Sequence, residues 1–335
     1  MSSLIPTRRA PRGGVSLSLV PEKYRAYRAK LRQLLEASTA GSTRRAYKSQ
    51  LRRFTNWCGE NGLCPLPAAP DTVAAFIAYL AGEGKGAATV NQALSAVSVA
   101  HQAAGLDSPT KEIAVRKAVK GFRRLRGTAP RKKPAATAEL VKKMLAALEA
   151  GGTARDVRDA AILSVGFAGG FRRSELAALN FEDLSWETGD GRECCVIQVR
   201  HSKTDQEGRG MEKAVFGSGD PRFSPPLLLR RWLELADIDS GPVFRRIRRG
   251  GHVQGTRVTD QVVMMAVRRA AAMAGITLAL SAHSLRSGFV TTAVRQGKTP
   301  DEIMVQTGHR SMDVLMGYYQ RRNVRERNAA KDVLE

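Results

Sequence analysis

HSLRSGF (residues 283–289) and TGHRSMDVLMGYY (residues 307–319) decide how this chain is read. They place His283 and Arg286 three residues apart, His309 after Gly308, and Tyr318 nine residues beyond His309. Two imidazoles, a guanidinium and a phenol suit chemistry on a phosphodiester. The Arg and the His residues can hold anionic oxygens, and the phenol can attack phosphorus. His283 and Arg286, at i and i+3, share a helix face. Each residue alone is common. A lone His at a helix break is usually a cap, so the weight rests on the set and on what lies upstream.

The last of these helices separates its two tyrosines. Met312, Leu315, Met316 and Tyr319 form a narrow apolar stripe, and Tyr318 lies ~100° off it. Tyr319 is therefore read as core and Tyr318 as the available phenol. Further upstream, GGFRRSEL (169–176) sits where one helix ends and another begins. Glycines there allow close backbone approach, and an Arg offers a planar fork to a phosphate. A surface Arg pair before an amphipathic helix is the commoner meaning of such a segment. HSKTD (201–205) falls in the turn after a strand, where Lys203 can reach a leaving oxygen and protonate it. Most turn lysines do nothing of the kind.

The partner is named by charge. The chain has 335 residues and a formal net charge of +23. Residues 1–136 carry 24 Lys/Arg against 7 Asp/Glu, and residues 137–335 carry 30 against 24. Such an excess points to DNA, RNA or an anionic membrane. No apolar run approaches the roughly 20 residues a membrane span needs. The basic start, Met1 to Gly14, lacks the apolar segment of a secretory signal. A hydrophobic fraction of 43% argues against global disorder. Cys58, Cys64, Cys194 and Cys195 have no metal-ligand spacing and read as reduced cysteines of a cytosolic protein. Cys194 and Cys195, adjacent on a strand, should point to opposite faces.

Residues 1–20 read as a flexible basic tail and 21–126 as about five helices. GTAPRKKP (127–134) is a basic linker that could lie along a phosphate backbone, or simply be solvated. Helices resume at 137–150 and 154–168, strands are expected at 193–200 and 211–216, and everything after Ser224 reads as helical. In the helix 42–58, Tyr47, Leu51, Phe54 and Cys58 make an apolar stripe, with Arg44, Arg45, Lys48 and Arg52 beside it. That helix has no acid between Gly41 and Gly59. Such a face suits a DNA groove.

The ordered set R-x-S-E-L, Lys turn, H-x-x-R, G-H and Tyr resembles the tyrosine recombinase (phage integrase) family, most closely its Cre-type site-specific recombinases. The resemblance covers nearly the whole chain, including the first-domain segment ATVNQ (88–92) followed by His101. It implies a mainly α fold with a small β-sheet, arranged as a two-domain C-shaped clamp. The domains would be a helical DNA-binding domain (21–126), a linker (127–136) and a catalytic domain (137–335). After residue 319 a C-terminal helix would dock on a neighbouring subunit.

The implied activity is site-specific recombination through a 3′-phosphotyrosine and a Holliday junction, with no cofactor and no metal. Tyr318 would be the nucleophile. Arg172 and Arg286 would clamp the phosphate, with motif register favouring Arg172 over Arg173. His283 and His309 would bond the same phosphate, and some relatives have Trp where this chain has His309. Lys203 would be the general acid, and Glu175 would buttress the site. DNA contacts would come from Arg44, Arg45, Lys48, Thr89, Gln92, Arg131, Lys132 and Lys133, with Gln261 as a base reader in the major groove and Arg245–Arg249 gripping the backbone. The partner would be double-stranded DNA with inverted repeats. The protein, monomeric in free solution, would act as a homotetramer on two sites. It would be cytoplasmic, nucleoid-associated, and bacterial or phage-encoded. Two alternatives remain: a type IB topoisomerase-like relaxing enzyme, and a non-catalytic DNA-binding protein of the same fold.

Overall fold

The computed structural model describes residues 30, 33, 40–127, 133–189, 191–200, 210–309 and 311–326. Lys203, Arg131, Lys132, the N-terminal tail and residues 327–335 lie outside the described residues. The chain divides into two compact units, Met1–Arg131 and Lys132–Glu335.

In the first unit, α1 (Gly41–Glu60), α2 (Pro70–Gly82), α3 (Ala87–Ala103) and α4 (Ile113–Arg126) enclose one core. Pro70 opens α2 with its ring already set for a helix and Asp71 complements the helix dipole in the first turn. The apolar stripe of α1 turns inward: Phe54 and Cys58 are fully buried and Leu51 packs against them. Phe54 meets Phe76 edge-on at 5.0 Å between centroids, and Trp57 stacks on Tyr79 at 5.8 Å. Each such pair contributes roughly 0.5–1.5 kcal/mol beyond its buried area. His101 is a structural histidine. Its Nε2 accepts the Ala68 N–H at 2.9 Å and its Nδ1 donates to Val97 O at 2.8 Å.

The second unit is built round α6 (Ala154–Ala168), buried along Asp156–Gly166. Thr153 caps it, its hydroxyl accepting the Asp156 N–H at 3.2 Å while Asp156 accepts the Thr153 N–H at 3.0 Å. Around it pack α5 (Ala138–Gly151), α7 (Arg173–Ala178), α8 (Pro225–Leu235), α9 (Asp260–Met273) and α10 (Ala282–Arg295). The strands β1 (Leu184–Gly189), β2 (Arg192–Val199) and β3 (Met211–Phe216) form an antiparallel sheet in that order. β2 registers Cys195 on Val215 and Ile197 on Lys213. α11 (Pro300–Thr307) and α12 (Met312–Glu326) are the last elements among the described residues.

Three expectations change. The segment after Ser224 is not wholly helical: β4 (Arg245–Ile247) and β5 (Val253–Arg257) form a second antiparallel pair. Gly250 and Gly251, at φ +90° and +87°, make its turn. The arginine-rich pair is held by tertiary bonds rather than strand propensity. Arg257 Nη1 donates to Ala177 O at 3.0 Å and Leu179 O at 2.9 Å, at the end of α7. β1 was not anticipated; its Trp186 is half-buried beneath the Arg230 guanidinium at 3.8 Å. The stripe on α12 is only partly core, since Leu315 is buried while Met312 and Met316 are 41% and 40% exposed. Leu315 faces the cluster of Val290, Val294 and Ile303, and that small cluster covers a narrower strip than the sequence pattern suggests.

Cys194 and Cys195 are both buried, and Cys195 lies in the main core cluster while Cys194 does not. Burial pushes the Cys195 thiol up to about 12, so it is inert at neutral pH.

One glycine is fixed by close approach. The Ala136 N–H bonds to Ser284 O at 2.9 Å, so residues 135–137 run across α10 at Gly288. A β-carbon there would collide with the Ala136 carbonyl. Gly288→Ala is expected to cost about 3 kcal/mol or more, because the obstacle is backbone and cannot turn aside. Thermal or urea unfolding measures it. Wild-type stability would show that the segment is free to move off the helix.

Candidate active site

The site residues meet where α6, α7, α10, α11 and β3 converge. Gly169 and Gly170 end α6; Gly170 has a φ of +53°, and a β-carbon there would meet Thr307 Cγ2 at 2.9 Å and the Phe289 ring at 3.3 Å. Phe171 is buried next, which turns Arg172 to the start of α7. Glu175, one turn later and only 2% exposed, accepts the Arg172 N–H at 3.0 Å and Arg172 Nη1 at 2.6 Å. Burial alone would raise the Glu175 carboxyl. The charge of Lys213 and the bonds from Arg172 outweigh it and hold the group below its usual range. Arg173, by contrast, pairs with Asp260 at 3.0 Å, both half-exposed, at the start of α9.

Arg286 is 2% exposed. Its Nη1 donates to Gly170 O and to Thr307 O, each at 2.6 Å. Its Nη2 is buried and has no hydrogen-bond partner among the described residues. Desolvation and the nearby Arg172 bring its pKa down to about 10, with Glu175 and Tyr318 opposing. It therefore remains a cation at neutral pH. Among its electrostatic neighbours is the Tyr318 phenol.

His283 lies one turn before Arg286 and is exposed on its outer side. Desolvation of its ring, then Arg286 and Arg172, lower its pKa. His309 follows Gly308, whose φ of +66° ends α11. Thr307 Oγ1 donates to Ile303 O at 2.6 Å, so its lone pair faces His309 Nδ1 at 2.7 Å and Nδ1 carries the proton. Burial, then Arg286, Arg172, Lys213 and His283, push His309 down to about 4. Both imidazoles are thus neutral at pH 7 and sit in a field of cations. Such a field is suited to an anion.

The two tyrosines differ in what they face. Tyr319 donates its hydroxyl to Lys298 O. Tyr318 is partly buried against the Val290–Leu315 cluster and interacts with Arg286. The structure therefore brings Arg172, Glu175, His283, Arg286, His309 and Tyr318 into one electrostatic neighbourhood. Sequence reading missed Lys213, which is wholly buried on β3 against Glu175. The available signal was a cation on the inward face of an alternating strand, with Met211 and Val215 as its neighbours on that face.

The DNA-contact candidates scatter more. Arg44, Arg45 and Lys48 are exposed on α1. Gln92 is exposed on α3, but it accepts from Gln50 Nε2 at 3.4 Å, and Gln50 lies roughly 200° round α1 from Lys48. Thr89 is partly buried and Lys133 exposed. Gln261 is exposed in the first turn of α9. Near it a cleft of about 660 Å³ is lined by Arg155, Arg246, Arg248 and Arg249 together with Thr259. A second basic cleft, of about 590 Å³, was not foreseen. It runs between α3 and α4, with Arg116, Lys120, Arg123 and Arg124 on one wall and Asn91 on the other. Arg123 Nη2 donates to Asn91 Oδ1 at 3.2 Å. The signal was present: no acid occurs between Glu112 and Glu139.

Residues 135–325 match the phage integrase family, and residues 31–105 match the SAM-like N-terminal domain of phage integrases. The chain belongs to the phage integrase family. It is 36% identical over 304 residues to the integrase/recombinase xerD homolog of Selenomonas ruminantium, covering 90% of this chain and 87% of that one. It is 26% identical over 288 residues to the recombinase cre of Escherichia phage P1, covering 81% of each. The fold is that of the XerH recombinase in its post-cleavage complex on palindromic difH, at TM-score 0.55 and 19% identity over 76% of this chain and 71% of that one. It is also that of lambda integrase residues 75–356 on a COC′ core site, at TM-score 0.55 and 17% identity over 92% and 99%. This chain is accordingly a tyrosine recombinase, mainly α with small sheets. Among the described residues no helix is long and apolar enough to cross a membrane.

Proposed function

We propose that Tyr318 is the nucleophile of this site-specific DNA recombinase, with Arg172 and Arg286 as the clamp on the scissile phosphate. The carrying observation is the orphaned, buried Nη2 of Arg286. It sits in the same neighbourhood as Tyr318, and its sister Nη1 is fixed by two carbonyls. A non-bridging phosphate oxygen satisfies that donor.

Tyr318 Oη forms a bond to phosphorus as the bond to the 5′-oxygen breaks. The products are a 3′-phosphotyrosine and a free 5′-hydroxyl. The 5′-hydroxyl of a partner strand reverses the step, so the phosphodiester energy is kept and no nucleotide triphosphate is consumed. His283, neutral and outward-facing, accepts the phenol proton. Lys203, which follows β2 in the sequence and lies outside the described residues, supplies a proton to the leaving 5′-oxygen. His309 becomes a donor only when protonated at Nε2, since Nδ1 already serves Thr307. A phosphate beside it favours the charged form and raises its pKa from about 4. Glu175 keeps Arg172 from swinging away and neutralises part of the cationic charge.

Duplex DNA carrying inverted repeats is the substrate, and four protomers act on two sites. A lambda integrase tetramer has been solved bound to a Holliday junction, at TM-score 0.53 and 17% identity to this chain. The direct test is a nicked duplex built from inverted repeats near the coding region. The wild-type protein should leave a covalent species on a denaturing gel. DNA binding without any such species would remove the proposal.

Binding should weaken steeply with salt. Six to ten neutralised phosphates lose about 10³–10⁵ in affinity between roughly 50 and 200 mM salt. Replacing Arg116, Arg123 and Arg124 with Ala should make the slope of log K against log salt shallower by about 3. An unchanged slope, read by fluorescence anisotropy, would take the α3–α4 cleft out of the DNA interface.

A further inference from the structure

Lys213 has no part in the chemistry above, yet it occupies the centre of the site's supporting layer. Its side chain is 0% exposed, so it cannot touch DNA. Its Nζ donates to Gly169 O at 3.0 Å and Gly170 O at 3.5 Å, faces Glu175 Oε2 at 3.5 Å, and lies 4.4 Å above the Phe171 ring. Those partners are the hinge of the clamp. Glu175 holds Arg172, and the Gly170 carbonyl is the same oxygen that anchors Arg286.

We propose that Lys213 is a positioning residue that sets both clamp arginines in register, Arg172 through Glu175 and Arg286 through the shared Gly170 carbonyl. This rests on the recombinase reading and goes beyond it by naming what pre-orders the clamp. The argument is one of charge and donors. Glu175 is 1% exposed in its side chain, and without Lys213 its carboxylate keeps Arg172 as its one ion-pair partner among the described residues, with Arg286 acting on it only at longer range. Arg172 is then drawn inward onto both oxygens and away from the phosphate. Gly169 and Gly170 lose a donor at the same time, so the loop carrying Arg172 is free to shift against Arg286. Preorganisation is lost although no group that touches the substrate has changed.

The groups facing Lys213 are Glu175 from α7, Arg172 just before it, Arg286 from α10 and His309 beyond α11. Burial, with Arg286 and Arg172, lowers the Lys213 pKa to about 8 against the pull of Glu175. The ammonium is therefore present at neutral pH and is lost as pH rises through about 8. Register of the clamp fails over the same range.

The test uses the full chain and a nicked duplex in single turnover, in two forms: the natural 5′-oxygen at the cleavage point, and a 5′-bridging sulfur. A thiolate leaves without a proton, so sulfur restores a variant that lacks the general acid. Lys213→Met should bind DNA within about twofold of wild type and form adduct about 10–100-fold more slowly. The defect should persist with sulfur, whereas Lys203→Ala should be restored by it. Adduct formation at the wild-type rate, or restoration by sulfur, overturns the positioning role. If Lys213→Met shows no cooperative melt, Lys213→Arg serves in its place. A guanidinium does not titrate here, so the wild-type fall in adduct rate above about pH 8 should disappear. A fall retained at the same pH overturns the proposal. Wild-type protein that binds DNA but forms no adduct overturns the recombinase reading, an outcome separate from either of these.

Discussion

Tyr318→Phe is expected to bind DNA at wild-type affinity and to form no covalent adduct, while Tyr319→Phe still forms one. Removing a covalent nucleophile costs on the order of 10⁶ in rate, which takes the adduct below detection on a gel. The two residues are neighbours in sequence and both are partly buried, so composition does not separate them. Their bonding partners do. Successive residues project ~100° apart, and the Tyr319 hydroxyl is committed to the Lys298 carbonyl. Tyr318 instead interacts with Arg286, whose Nη1 is anchored beside Gly170 and Thr307. Tyr319→Phe forfeits one hydrogen bond, a net cost of about 1 kcal/mol that leaves the fold intact. A denaturing gel with a nicked duplex reads both variants in parallel. Adduct from Tyr318→Phe, or none from Tyr319→Phe, would reverse the assignment.

The residues proposed to carry the chemistry can be picked out from the sequence because local rules place them. An i, i+3 pair on one helix, a histidine after a positive-φ glycine and a tyrosine in a set helix phase need no knowledge of the rest of the chain. Their supports were not legible. Lys213 could be seen to point inward from β3, but nothing local announces that Glu175 waits opposite it, 38 residues earlier in the chain. The β4–β5 pair was hidden for a related reason. Its strands are rich in arginine and glycine, and Arg257 holds them through carbonyls about 80 residues away. On α12 the apolar spacing was real, yet only Leu315 found a partner surface. The acid-free run through α4 was visible in the sequence. Its weight appears only once α3 supplies the second wall of the cleft.

Arg286→Lys is expected to reduce adduct formation nearly as far as Arg286→Ala does, by about 10²–10³. The substitution keeps the charge, so a clamp acting as a point charge would survive it. The geometry says otherwise. Nη1 spends its donors on Gly170 O and Thr307 O at 2.6 Å each, and Nη2 is left buried and unpaired. Only a fork can anchor two carbonyls from one nitrogen and still present a second nitrogen to the phosphate. A lysine ammonium serves the carbonyls or the phosphate, but its single nitrogen cannot stand in both places. Arg286 at about 10 also remains charged across the working range, whereas an ammonium moved into that burial beside Arg172 loses its proton more readily. Both variants should retain DNA affinity within a few fold, since one phosphate contact among many is removed. Single-turnover adduct rates beside anisotropy titrations separate the two quantities. A lysine variant within threefold of wild type would show that charge alone is what the site requires of Arg286.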